Sequence, residues 1–144
     1  MNRIGREQIL ALIPHGGAMC LLDEVLAWDA ASVRCLSLSF HDQDNPMRRA
    51  DGRLGAASGI EIAAQAMAVH GRLTAQQDGP PAPGYLVSLR DVLLTTTVLE
   101  AERLVISAIR LRGDARGATY SFTVTGQDTK YLSGRATVLF GGGQ

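Results

Sequence analysis

The sequence predicts an α+β fold in which one antiparallel sheet of about six strands wraps around one long central helix. Three observations predict it. The stretch ASGIEIAAQAMAVHG, residues 57–71, is small and apolar on nearly every helical face, which a helix tolerates only when it is buried on most sides. Four segments after it are rich in Val, Ile, Thr, Tyr and Phe and separated by turn residues, the pattern of a strand meander. The chain of 144 residues is long enough for one substantial core and too short for two, so residues 1–144 are expected to form a single domain.

Arg6 to Ile13 has the spacing of a short amphipathic helix, stopped by Pro14 and the Gly16-Gly17 pair. Leu21 to Trp28 and Val33 to Phe40 read as two strands of a hairpin around Asp29-Ala30-Ala31-Ser32. His41 to Gly55 is polar and carries Pro46, Gly52 and Gly55, a loop leading into the long helix, which extends to about Ala75. Gly79, Pro80, Pro81 and Pro83 mark a connection, not a domain boundary, because neither side alone makes a domain. Tyr85 to Leu94, Leu104 to Arg112, Ala118 to Thr125 and Lys130 to Phe140 are the four later strands. Gly141-Gly142-Gly143-Gln144 is expected to fray.

Composition excludes several classes of partner. Lys plus Arg and Asp plus Glu both number 14, and aromatics are 5% of the chain, so neither charge excess nor stacking platforms point to nucleic acid. Cys20 and Cys35 sit in apolar runs and are expected as buried thiols in a reducing compartment. The N-terminus lacks a signal pattern and no apolar run is long enough to span a bilayer, so a soluble, cytoplasmic protein is expected. Three histidines and two cysteines without close ligand spacing predict no metal site, and no cofactor is expected.

The central helix carries one carboxylate, Glu61, and one amide, Gln65, four residues apart and therefore on the same helical face. A carboxylate among such neighbours is costly unless hydrogen-bonded. One explanation is local: Ser58 and Glu61 have the S-x-x-E spacing of a capping box, in which the glutamate reaches back to the serine N–H. The other is chemical, a carboxyl held in a dry site for proton transfer.

Three segments resemble the 3-hydroxyacyl-ACP dehydratase branch of the hot-dog fold: IPHGGAMCLLDEV from Ile13 to Val25, GIEIAAQAMA from Gly59 to Ala68, and GYLVSLRDV from Gly84 to Val92. Glu61 and Gln65 match that family's E-x-x-x-Q, and the G-I-E opening of the helix is similar to dehydratase-like proteins of the aryl-polyene pathway. The resemblance implies dehydration of a 3-hydroxyacyl thioester on acyl carrier protein, in fatty-acid or polyene-type biosynthesis. That chemistry needs a base for the C2 proton, an acid for the leaving 3-hydroxyl and donors at the thioester oxygen. On this reading Glu61 is the acid and backbone N–H groups around Ser58 and Gly59 face the thioester oxygen, while Gln65 either orients Glu61 or is a polar residue bonded to a backbone group or facing a subunit contact.

The base is placed by the loop before the helix. The resembling proteins carry a histidine in a G-H-F-P type loop about fourteen residues before the helix glutamate, and loop length is thermodynamically easy to change. Here the loop reads FHDQDNPMRRADGRLGAASGIE. With a longer loop, His41 is the base; on the tight alignment, Asn45 occupies its position and base catalysis is lost. The longer loop is the favoured alignment. His15, in Pro-His-Gly, is expected as a turn residue, and His70 at a dipole-facing or subunit-contact position late in the helix.

Arg48, Arg49 and Arg53 cluster in the same loop. Against an acidic carrier protein and the phosphate of its phosphopantetheine arm they would steer docking; the alternative is a solvated run balanced by Asp42, Asp44 and Asp51. Sheet edges around so apolar a helix call for a neighbour, so a homodimer or a heterodimer with another hot-dog subunit is expected. Two other functions share the architecture: a non-catalytic hot-dog subunit of a dehydratase heterodimer, and an acyl thioesterase.

Overall fold

The computed structural model describes residues 3–12, 20–38, 55–56, 58–75, 84–96, 99, 103–114, 116–126 and 128–140. Its elements follow the order β1 (Ile4–Gly5), α1 (Arg6–Leu12), β2 (Glu24–Trp28), β3 (Ser32–Ser37), α2 (Ser58–Ala75), β4 (Gly84–Leu94), β5 (Leu104–Gly113), β6 (Gly117–Gly126) and β7 (Thr129–Phe140). The strands form one antiparallel sheet in the order β1-β2-β3-β5-β6-β7-β4. The sheet has seven strands where sequence periodicity indicates six. The extra one, β1, is two residues long and pairs only Ile4 with Val25 and Gly5 with Glu24, too short to leave a period-two signal.

Side-chain alternation sets which face of the sheet meets the helix. In β6 the buried side chains are those of Ala118, Tyr120, Phe122 and Val124, while Thr119, Ser121, Thr123 and Thr125 point the other way. Ile106, Leu104, Leu132, Ala136 and Val138 extend the apolar face across β5 and β7. Against it lies α2, whose Ile62, Ala63, Ala66, Met67 and Val69 are buried and which packs on β3, β4, β5, β6 and β7. The wide apolar surface of this helix therefore has its counterpart in a sheet curved around it.

Turns place the strands. Asp29 Oδ1 accepts from Ala31 N–H at 2.9 Å, Ser32 N–H at 2.8 Å and Ser32 Oγ at 3.0 Å, closing the β2–β3 hairpin. Those donors, led by the Ala31 N–H, hold the Asp29 carboxyl below its usual range. At the β5–β6 turn Asp114 Oδ1 accepts from Arg116 N–H and Gly117 N–H. The long crossover through α2 sends β4 to the outer edge of β7, while β5 pairs with β3.

Both cysteines are free and buried, as expected, and burial pushes the Cys35 thiol up to about 12. Among the described residues no helix is long and apolar enough to cross a membrane, and none group as a metal-binding set of three or more His, Cys, Asp or Glu.

Candidate active site

The start of α2 is built by close packing. Gly59 is buried, and a Cβ on it would lie 2.6 Å from Leu132 Cδ2 and 3.7 Å from Val124 Cγ2, so a side chain there would displace Leu132 from its present packing against the helix start. The chain enters the helix through a tight turn in which Ser58 N–H donates to Gly55 O at 3.0 Å and Gly59 N–H to Ala56 O at 2.9 Å. These are the two N–H groups that sequence reasoning directs at a thioester oxygen; in the structure loop carbonyls occupy them. The same bond removes the local explanation of Glu61, because the Ser58 N–H that a capping box would offer its carboxylate is already taken.

Glu61 and Gln65 come together one helical turn apart. Gln65, only 1% exposed, donates from Nε2 to Glu61 Oε2 at 3.1 Å and accepts at Oε1 from the Leu21 N–H at 3.0 Å. The Leu21 N–H can only donate, which fixes the amide: Oε1 faces Leu21 and Nε2 faces Glu61. Leu21 is itself held from its other side, its carbonyl accepting from Ser37 Oγ on β3. Leu22 O accepts from Arg6 Nη1 at 3.1 Å, so the segment leading into β2 is anchored to α1 as well. Glu61 is half-buried and Gln65 fully buried, giving a carboxylate near the protein surface oriented from within by a fixed amide.

His70 lies elsewhere than its sequence position suggests. It is fully buried inside the protomer, not at a helix end, since α2 continues to Ala75. Its Nε2 lies 2.8 Å from Asp29 O and its Nδ1 2.7 Å from the Tyr120 hydroxyl. A carbonyl only accepts, so Nε2 carries the proton and Nδ1 accepts from Tyr120. Burial pushes His70 below the usual histidine range; the bond to Asp29 O opposes this and the charge of Arg110 adds to it. Burial raises the Tyr120 hydroxyl correspondingly. Sequence reasoning missed this contact, and the one signal available was a tyrosine on the inward phase of β6.

The other candidates, His41, Arg48, Arg49 and Arg53 of the loop before α2, and His15, lie outside the described residues.

The architecture has close counterparts among solved structures. The dehydratase heterocomplex ApeI:P from Xenorhabdus doucetiae has a chain that superposes with a TM-score of 0.80 at 22% identity, covering 91% of this chain and 89% of that one. A thioesterase from Pseudomonas aeruginosa superposes with a TM-score of 0.65 at 14% identity, covering 94% and 92%. A Helicobacter felis protein does so with a TM-score of 0.65 at 11% identity, covering 96% and 90%. These likenesses establish the hot-dog fold, which dehydratases and thioesterases share. A search of curated proteins returns no match. The family model described as ApeP dehydratase matches residues 7–140, a span from the first turn of α1 to the end of β7, so the chain belongs to the ApeP-like dehydratase family.

Proposed function

We propose that this protein removes water from a 3-hydroxyacyl thioester carried on acyl carrier protein, giving the trans-2-enoyl thioester in fatty-acid or polyene-type biosynthesis. The observation that carries this reading is the bond from Gln65 Nε2 to Glu61 Oε2, backed by the Leu21 N–H. A carboxyl fixed in this way holds one orientation toward a substrate hydroxyl without reorganising during the reaction. His41 takes the C2 proton, the C2–H electron pair forms the new double bond, and the C3–O bond breaks as Glu61 delivers a proton to the leaving hydroxyl. Gln65 positions Glu61, the close packing of Gly59 against Leu132 seats the helix start that borders the acyl group, and Arg48 and Arg49 meet the phosphate of the carrier's arm.

A second hot-dog subunit is part of this proposal. Strand β4 ends the sheet order and exposes Tyr85, Val87, Leu89, Leu93 and Leu94, apolar side chains along a strand with one unpaired edge. Such an edge suits in-plane pairing with another sheet. The Xenorhabdus doucetiae counterpart is a dehydratase heterocomplex, which favours a second reading, in which this chain is a non-catalytic subunit that completes an active partner.

The test is incubation of the pure protein with 3-hydroxyacyl-ACP, followed by mass spectrometry of the carrier. Loss of one water from the acyl group is the expected result. Free acid released in the same run would instead make the protein a thioesterase. Water loss that requires an added hot-dog subunit and survives substitution of both His41 and Glu61 would make this chain the non-catalytic partner.

A further inference from the structure

The sheet face turned away from α2 carries a basic groove independent of the acyl site. Side chains cross four strands in register: Arg112 on β5 opposes Thr119 on β6, Thr119 opposes Thr137 on β7, and Thr137 opposes Ser88 on β4. Nearby, Arg135 of β7 directly opposes Arg90 of β4. All six residues line one groove of about 340 Å3, and no carboxylate is among its lining residues.

Two guanidinium groups on directly opposed residues repel, and such a pair destabilises a sheet unless something neutralises it. Compensation inside the protein is slight. Asp91 Oδ2 reaches Arg135 Nε only at 4.0 Å, with both side chains largely exposed, and Asp91 adopts a left-handed φ of 55° at the irregularity between Arg90 and Leu93. Among the described residues neither Arg90 nor Arg112 has a carboxylate within ion-pair distance. The hydroxyls supply a further donor: Thr119 Oγ1 and Thr137 Oγ1 are 3.0 Å apart, and whichever accepts in that bond keeps its own hydrogen for a third group.

We propose that this groove binds a phosphate group, with Arg90, Arg112 and Arg135 around its oxygens and the Thr119–Thr137 pair donating to it. Guanidinium forks match phosphate oxygens in geometry and charge, and one dianionic group offers enough acceptors for several arginines at once. The local conflict between Arg90 and Arg135 is then relieved by the ligand, the usual reason for a sheet to tolerate one.

Isothermal titration of the full chain at low ionic strength tests this, with inorganic phosphate, glycerol phosphate and a polyglutamate peptide as separate probes. Saturable binding of one phosphate is expected, weakened about tenfold or more by Arg112→Gln and by Arg90→Gln, as loss of a charge-assisted pair implies. Phosphate should raise the melting temperature of the wild type more than that of either variant, while Arg90→Gln alone should raise it without phosphate. Tighter binding of glycerol phosphate than inorganic phosphate assigns the site to a phosphorylated molecule, and equal binding assigns it to the free ion. Absence of saturable binding, binding unchanged in both variants, or binding of polyglutamate alone overturns the proposal; the last outcome would make the groove a docking surface for an acidic protein.

Discussion

Gln65 is joined to Glu61 across one turn of α2, and the same amide is joined to the backbone of Leu21, 44 residues earlier in the chain. The orientation of the candidate acid is thus set by a segment that is remote in sequence and buried in space. An amide in the place of Glu61 would keep its shape but could not supply an acidic proton. Glu61→Gln is therefore expected to fold normally and to slow dehydration by about a hundredfold or more. Circular dichroism and single-turnover assays on acyl-ACP measure both; near-normal turnover would assign Glu61 a structural role.

Gln65→Ala should act through stability first. It leaves the buried Leu21 N–H without its acceptor, a loss of about 1–3 kcal/mol in urea denaturation. The freed Glu61 carboxylate should also lower kcat more than it changes KM, since positioning is lost and not substrate contact. A variant with full stability and full kcat would show that the bond chain carries neither role.

His41→Ala should leave the fold intact and abolish most dehydration, while carrier binding is retained. The proposal for His41 rests on sequence alone, so the outcome decides between the two loop alignments. If the wild type is active and His41→Ala keeps the full rate, the base lies elsewhere, and His15 is the next residue to substitute.

His70 should make stability fall with acid. In the unfolded chain it takes a proton near its ordinary value of 6.5, whereas burial keeps it neutral in the fold to lower pH. The unfolded state therefore binds more protons in that window, and the stability contribution, complete above about 6.5, is lost as pH falls toward the depressed native value. Asp29, Tyr120 and Arg110 are the ionisable groups that face the ring; Asp29, held below the usual carboxylate range, and Tyr120, raised by burial, both titrate outside this window. Urea denaturation between pH 7.5 and 5.5 should show a smaller drop for His70→Gln than for the wild type; parallel curves would contradict the assignment.

The sequence by itself determined the local content of this protein. An apolar period on every face marks α2, because such a helix has no stable exposed orientation, and strict alternation marks β6, because a strand has only two faces. The i, i+4 spacing of Glu61 and Gln65 is likewise local and was legible without coordinates. Only the tertiary structure decided what lies across from these residues. Leu21 meeting Gln65, Tyr120 meeting His70 fifty residues away, β4 running to the far edge of β7 and Arg90 facing Arg135 all depend on strand order and register. Those are fixed when distant segments bury their surfaces together, and periodicity, which describes one element at a time, carries no information about which neighbour an element will find.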